Sequence, residues 1–217
     1  MYFEVSGALA KCKLIGTMVG VTTKTTRADE QVRGETKGGR GARERILRAA
    51  TDLFYEQGIA ATGIEQLAEV AHVSKRTLYQ HFASKDEIIV EYLGRVGEQR
   101  LPGLAEPLRD SGRPVRDRLL GIFDVGAPRG CPFVNAATEL ADTEHPARAV
   151  CTAQKQTFID ALIALATEAG ARDPGKLGHQ LAVLYDGASA QGAALNSTEP
   201  AEYARAAAAA LIDLATP

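Results

Sequence analysis

The side chains best suited to recognition chemistry fall together in residues 75–85. Lys75, Arg76, Thr77, Tyr79, Gln80 and His81 sit in the run KRTLYQHF, and Lys85 follows His81 by four positions. They supply cations, hydroxyls, an amide and an imidazole without one acid among them. Lysine and arginine donate to guanine O6 and N7, and a threonine methyl meets the methyl of thymine. Leu78 and Phe82, four apart, turn inward on a helix and leave the polar residues outward. A short helix of this kind is suited to reading a nucleic-acid groove.

Such a face works only if other elements hold it. Ser74 is placed to cap the reading helix, which the tight turn around His72 joins to a preceding helix carrying Ile64, Leu67, Ala68 and Ala71. Thr62 and Glu65 have the spacing of a capping box for that preceding helix, and Thr62 at its N-terminus is a candidate phosphate contact. A first helix is expected over 42–57, with Ile46, Ala50, Leu53 and Phe54 inward, Gly58 as its left-handed stop and Ile59 as a staple. Ser84, Asp86 and Glu87 open a long helix bearing Ile88, Ile89, Tyr92, Leu93 and Val96. Arg40, Arg43 and Arg45 stand at the entry to the first helix, placed to clamp phosphates.

Residues 45–93 closely resemble the DNA-binding domain of the TetR family of bacterial transcriptional regulators. The resemblance rests on Glu56-Gln57-Gly58, Leu67-Ala68, Val73-Ser74, Thr77-Leu78-Tyr79, Phe82 and Ser84-Lys85 at fixed spacing. It implies that Lys75, Arg76 and Thr77 read base edges. It also implies that Tyr79, His81 and Lys85 touch the phosphate backbone, which fixes register without specifying sequence. Three positions depart from the family pattern: His72 where glycine is common, Gly63 where threonine or serine is frequent, and Arg76 where the residue is often small. The resemblance further implies a helical second half that encloses an effector pocket and pairs two copies of the chain.

Composition bounds these readings. The chain has 217 residues, a net charge of -2 and 45% hydrophobic content, enough for one large or two small globular domains. Near-neutral charge confines any nucleic-acid surface to a local patch. Residues 22–42 are rich in Thr, Gly and charge without apolar periodicity, and we read 1–39 as a flexible extension. Cys12, Cys131 and Cys151 are odd in number and widely spaced, which fits a reducing compartment. No apolar run approaches the roughly 20 residues of a membrane span, and the N-terminal stretch lacks the pattern of a signal peptide. A cytoplasmic protein without cofactor or metal is expected.

Beyond residue 97 only helical patterns occur, interrupted at Pro102, Pro107, Gly112-Arg113-Pro114, Gly126-Ala127-Pro128, Pro146, Asp173-Pro174 and Pro200. Helices are expected over 114–124, 131–143, 146–169, 177–195 and 202–214. Phe123, Cys131, Phe133, Asn135, Phe158 and Tyr185 are the candidate effector-lining residues, aromatics with a few polar groups. Asn135 and Glu139 share a helical face and would fix a polar ligand group, or pair with Arg148 or Arg129. The last two helices, packed with Ala and Gly, suit a close homodimer interface.

The chain is therefore read as all-α: a three-helix DNA-binding domain over 40–88 with a helix-turn-helix, then a helical effector-binding and dimerisation domain over 89–217. The function expected is a small-molecule-responsive repressor, not an enzyme, bound as a dimer to a palindromic operator in double-stranded DNA. Two alternatives stand beside it. One is redox gating through Cys131; the other is a helical binding protein or enzyme with a vestigial DNA module, in which Cys131 and His145 would act as nucleophile and base.

Overall fold

The computed structural model describes residues 40–108, 112–124 and 129–217. The extension over 1–39, Cys12 and the side chain of Arg40 lie outside the described residues. Among those described there are nine α-helices, one 3₁₀ turn and no strand. The helices are α1 (Arg40–Glu56), α2 (Ile64–Val70), α3 (Lys75–His81), α4 (Lys85–Leu108), α5 (Val115–Gly121), α6 (Pro132–Glu139), α7 (Pro146–Glu168), α8 (Pro174–Leu195) and α9 (Glu199–Ala215), with the 3₁₀ turn Ile122–Asp124 after α5.

Local signals set most of these bounds. Gly58 ends α1 with φ at 96°, and Ser74 caps α3 by accepting the Thr77 N–H at 3.0 Å. Ser84 accepts the Glu87 N–H at 3.2 Å, while Glu87 reaches back to the Ala83 N–H at 2.6 Å, so α4 starts with a reciprocal cap. Asp173 caps α8 through the Lys176 N–H at 2.9 Å, with Pro174 in the first turn.

Expectations on the length or start of five helices are corrected. The structure carries α4 through both Pro102 and Pro107 to Leu108, where breaks were expected; each proline removes only one backbone hydrogen bond. Pro174 and Pro200 likewise lie in first turns, where their missing N–H has no cost, so α8 and α9 start three residues earlier than expected. Helix α6 stops at Glu139 rather than 143, since Asp142 closes a turn by accepting the Glu144 N–H at 2.9 Å. Helix α2 has Gly63, not Thr62, at its cap, and no side chain caps it.

Two apolar clusters fill the molecule. The first joins Ile46, Leu53, Phe54, Leu67, Leu78, Phe82, Ile88, Tyr92 and Leu93, and takes in Ala136, Ala147 and Cys151 from α6 and α7. Phe54 meets Tyr92 edge-on at 5.4 Å. The second joins Leu119, Ile122 and Phe123 to Phe158, Leu162, Leu181, Tyr185, Ala208 and Ile212. Gly178 lets α8 approach α7 closely: a Cβ there would stand 2.6 Å from Ile163 Cγ1.

Candidate nucleic-acid interface

The turn from α2 into α3 is a left-handed C-terminal cap. His72 takes φ of 52°, its N–H reaches the Glu69 carbonyl at 3.0 Å, and the Val73 N–H reaches the Ala68 carbonyl at 2.9 Å. Histidine thus adopts the backbone that glycine would adopt more easily, as expected for this position. Leu78 and Phe82 are fully buried, so α3 is seated on the α1–α4 core by its inner face. Lys75, Arg76, Tyr79 and Gln80 are exposed, and Thr77 and His81 half-buried. Arg76 and Gln80 are one turn apart and share a face.

Each of the reading residues has a distinct setting. Lys75 is ion-paired with Glu65 across the turn; that hydrogen bond and the carboxylate charge raise its ammonium above the usual lysine range. Thr77 Oγ1 lies 2.8 Å from Ser74 Oγ, so its hydroxyl belongs to the cap and its methyl is left for contact. Arg76 has no partner among the described residues.

Several of the other residues selected from the sequence have partners within the protein. Thr62 is 0% exposed and its hydroxyl donates to the Gly58 carbonyl at 2.8 Å, so it closes the α1–α2 turn and does not cap α2. Arg45 Nε donates to the Ala71 carbonyl at 3.0 Å, satisfying the end of α2. Arg43 is paired with Glu91 and lies over the Phe82 ring at 5.1 Å. Lys85 Nζ donates to the Ile59 carbonyl at 2.6 Å and stands 6.0 Å from the Phe54 ring centre; burial pulls its ammonium below the usual lysine range.

The candidate effector residues divide. Phe123, Phe158 and Tyr185 do converge, Tyr185 lying 6.5 Å from Phe123 and 5.1 Å from Phe158 between ring centres, but as part of the second core. Asn135 Nδ2 donates to the Arg129 carbonyl at 2.7 Å, and Cys131 stands at the N-cap of α6. Phe133 alone of the six lines the groove between α6 and α7, a cavity of about 380 Å³ shared with Val134, Arg148, Thr152, Gln156 and Ile159. Lys155 and Cys151 also line it. Burial raises the Cys151 thiol above its ordinary range, with Arg148 acting against the rise.

A Cys131–His145 pair has no chemical basis in this arrangement. His145 Nδ1 accepts the Ala147 N–H at 3.1 Å to cap α7, and Nε2 faces Asp86 Oδ1 at 3.3 Å, so both ring nitrogens are committed elsewhere.

Comparison with known proteins bears on the same two halves. The family model for bacterial regulatory proteins of the tetR family matches residues 46–92, and the tetracyclin repressor-like C-terminal domain matches residues 110–208. The HTH-type transcriptional repressor Rv3405c of Mycobacterium tuberculosis is 37% identical over 131 residues, 56% of this chain and 69% of that protein. The HTH-type transcriptional regulator TcmR of Streptomyces glaucescens is 34% identical over 84 residues, and the match spans only 36% of its length. The crystal structure of SCO4454, a TetR-family regulator from Streptomyces coelicolor, superposes with a TM-score of 0.75 at 30% identity, over 81% of this chain and 96% of that one. The chain belongs to the TetR family.

Within this TetR-family chain a polar contact joins the two halves beside the apolar packing of Ala136, Ala147 and Cys151 on the first cluster. Glu139, at the end of α6, accepts the Ala60 N–H at 2.8 Å in the turn that Thr62 closes. A Cβ on Gly58 would come within 3.0 Å of the same carboxylate. Glu139 therefore does not share a ligand group with Asn135, and Arg148 donates instead to the Ala137 carbonyl of α6. Sequence reasoning overlooked Arg148, Cys151, Thr152 and Gln156 as groove residues; the helical spacing of 148, 152 and 156 on α7 was the available signal.

Proposed function

We propose that the chain is an effector-responsive transcriptional repressor that binds a palindromic operator as a homodimer in the cytoplasm. The observation that carries this reading is the seating of α3: Leu78 and Phe82 lock it to the core while Lys75, Arg76, Tyr79 and Gln80 project outward. Arg76 and Gln80 are the residues we assign to base edges, with the Thr77 methyl beside them. Tyr79 and His81 are assigned to phosphate. The relative Rv3405c, matched over 69% of its length, is named a repressor.

Pairing of two copies is assigned to α8 and α9. Val183, Leu195, Tyr203 and Leu214 are 67–72% exposed on these helices, an apolar set that a second copy would cover. Two-fold pairing places two reading helices about 34–36 Å apart, one turn of DNA. Redox gating through Cys131 has less support, because the other described cysteine, Cys151, is buried and held protonated, a poor resolving thiol.

The test is fluorescence anisotropy on DNA flanking the chain's own gene. Binding is expected to fall steeply with salt and to weaken when Arg76 or Gln80 becomes Ala, by about 1–3 kcal/mol for a bidentate base contact. Absence of binding at low salt, or indifference to both changes, removes the reading.

A further inference from the structure

We propose that the groove between α6 and α7 is the effector site and takes a small amphipathic acid, a carboxylate on an apolar body, with Arg148 reading the carboxylate. The proposal rests on the effector-responsive reading above. Phe133, Val134 and Ile159 give the groove an apolar floor, and Thr152 and Gln156 add neutral polar groups at its exposed rim. Among the described residues no aspartate or glutamate lines it. Two cations do, and their situations differ: Lys155 is neutralised by Asp186 at 2.6 Å, whereas Arg148 donates only to the neutral Ala137 carbonyl and has no carboxylate partner among the described residues.

A half-buried guanidinium held by one backbone carbonyl retains most of its donors, and a fork of donors matches a carboxylate better than any other common ligand group. At about 380 Å³ the groove is at the small end of the range for small-molecule sites, which favours a compact acid over a large polycyclic one. The same contact supplies a route outward. Arg148 satisfies a carbonyl in the last turn of α6, two residues before Glu139, whose carboxylate holds the α1–α2 turn at Ala60. A ligand carboxylate that draws the guanidinium away loosens that turn of α6 and the grip of Glu139 with it.

The experiment is calorimetric titration of the full chain with benzoate, salicylate and octanoate, and with benzamide, salicylamide and octanamide as neutral counterparts, alongside anisotropy on the flanking DNA. At least one acid is expected to bind saturably, its amide not to, and the bound acid to lower DNA affinity. Arg148→Gln is expected to weaken the acid by about 10- to 150-fold, the range for a hydrogen bond to a charged group. Thr152→Glu, at an exposed position, places a repelling carboxylate in the groove and decides the matter if Arg148→Gln does not fold. Failure of every acid to bind in the millimolar range, equal binding of acid and amide, or acid binding untouched by Thr152→Glu overturns the proposal. Intact DNA binding in those cases leaves the repressor reading standing; loss of DNA binding in the unliganded protein overturns that reading itself.

Discussion

Glu139 accepts the backbone N–H of Ala60 at 2.8 Å, so the last turn of α6 holds the turn that leads into the helix-turn-helix. Removing this acceptor leaves the Ala60 N–H to water and frees α6 to move without moving α2. Glu139→Ala is expected to cost about 1 kcal/mol of stability, the net value of a partly exposed hydrogen bond. Glu139→Gln, which keeps an acceptor, is expected to retain most of it. Urea midpoints of the two variants check the order.

Thr62→Val separates a structural role from a DNA contact. The hydroxyl is fully buried on the Gly58 carbonyl, and leaving that carbonyl unpaired is expected to cost about 1–3 kcal/mol. A phosphate contact would instead leave stability unchanged and weaken DNA binding at every salt concentration without changing the slope, since a hydroxyl neutralises no phosphate charge. Thermal unfolding and salt-dependent anisotropy on the same variant give opposite answers for the two roles.

Gly178→Ala tests the close approach of α7 and α8. The added methyl would meet Ile163 Cγ1 at 2.6 Å and the Ile163 backbone N at 3.0 Å, and the backbone atom has little room to yield. Overpacking of this kind is expected to cost about 1–3 kcal/mol. Gly187→Ala on the same helix, where a Cβ meets nothing within 4 Å, is the control and is expected to be neutral or slightly stabilising.

The ion pair between α1 and α4 makes a pH prediction. Arg95 grips both oxygens of Glu44 at 2.6 Å. These hydrogen bonds are the main reason that the Glu44 carboxyl is held below its ordinary 4.5, the charges of Arg95, Arg48 and Arg43 helping and slight burial opposing. A depressed folded value means that the contribution is complete above 4.5 and is lost as pH falls from there through the folded value. Wild type and Arg95→Gln are therefore expected to differ in urea midpoint at pH 7 and to converge in acid. The difference is expected to be small because the Glu44 side chain is half exposed and solvent screens the pair.

Legibility in the sequence followed the range of the interaction. Ser74, Ser84 and Gly58 act on backbone within four residues of themselves, and each was readable from its neighbours. The inward set Leu78, Phe82, Ile88 and Leu93 followed from helical spacing for the same reason. Thr62 misled because a threonine three before a glutamate satisfies the capping pattern whether or not its hydroxyl turns outward. The partners of Arg45, Lys85 and Arg148 were not legible, because they are main-chain carbonyls distant in sequence and a carbonyl leaves no trace in residue type; Asn135 meets Arg129, one of its expected partners, through that residue's carbonyl. Phe123, Phe158 and Tyr185, expected to line an effector pocket, lie together in a core, since spacing that predicts a shared pocket predicts shared burial equally well.

The left-handed backbone at His72 also bears on how this chain can diverge. With φ at 52°, only a few residue types sit there without strain: glycine, then asparagine, aspartate and histidine. A β-branched replacement would push the backbone out of that well and swing α3 away from the angle at which Arg76 and Gln80 project. New operator preferences can therefore arise through free exchange on the outer face of α3, while position 72 drifts within a narrow set that preserves the docking angle.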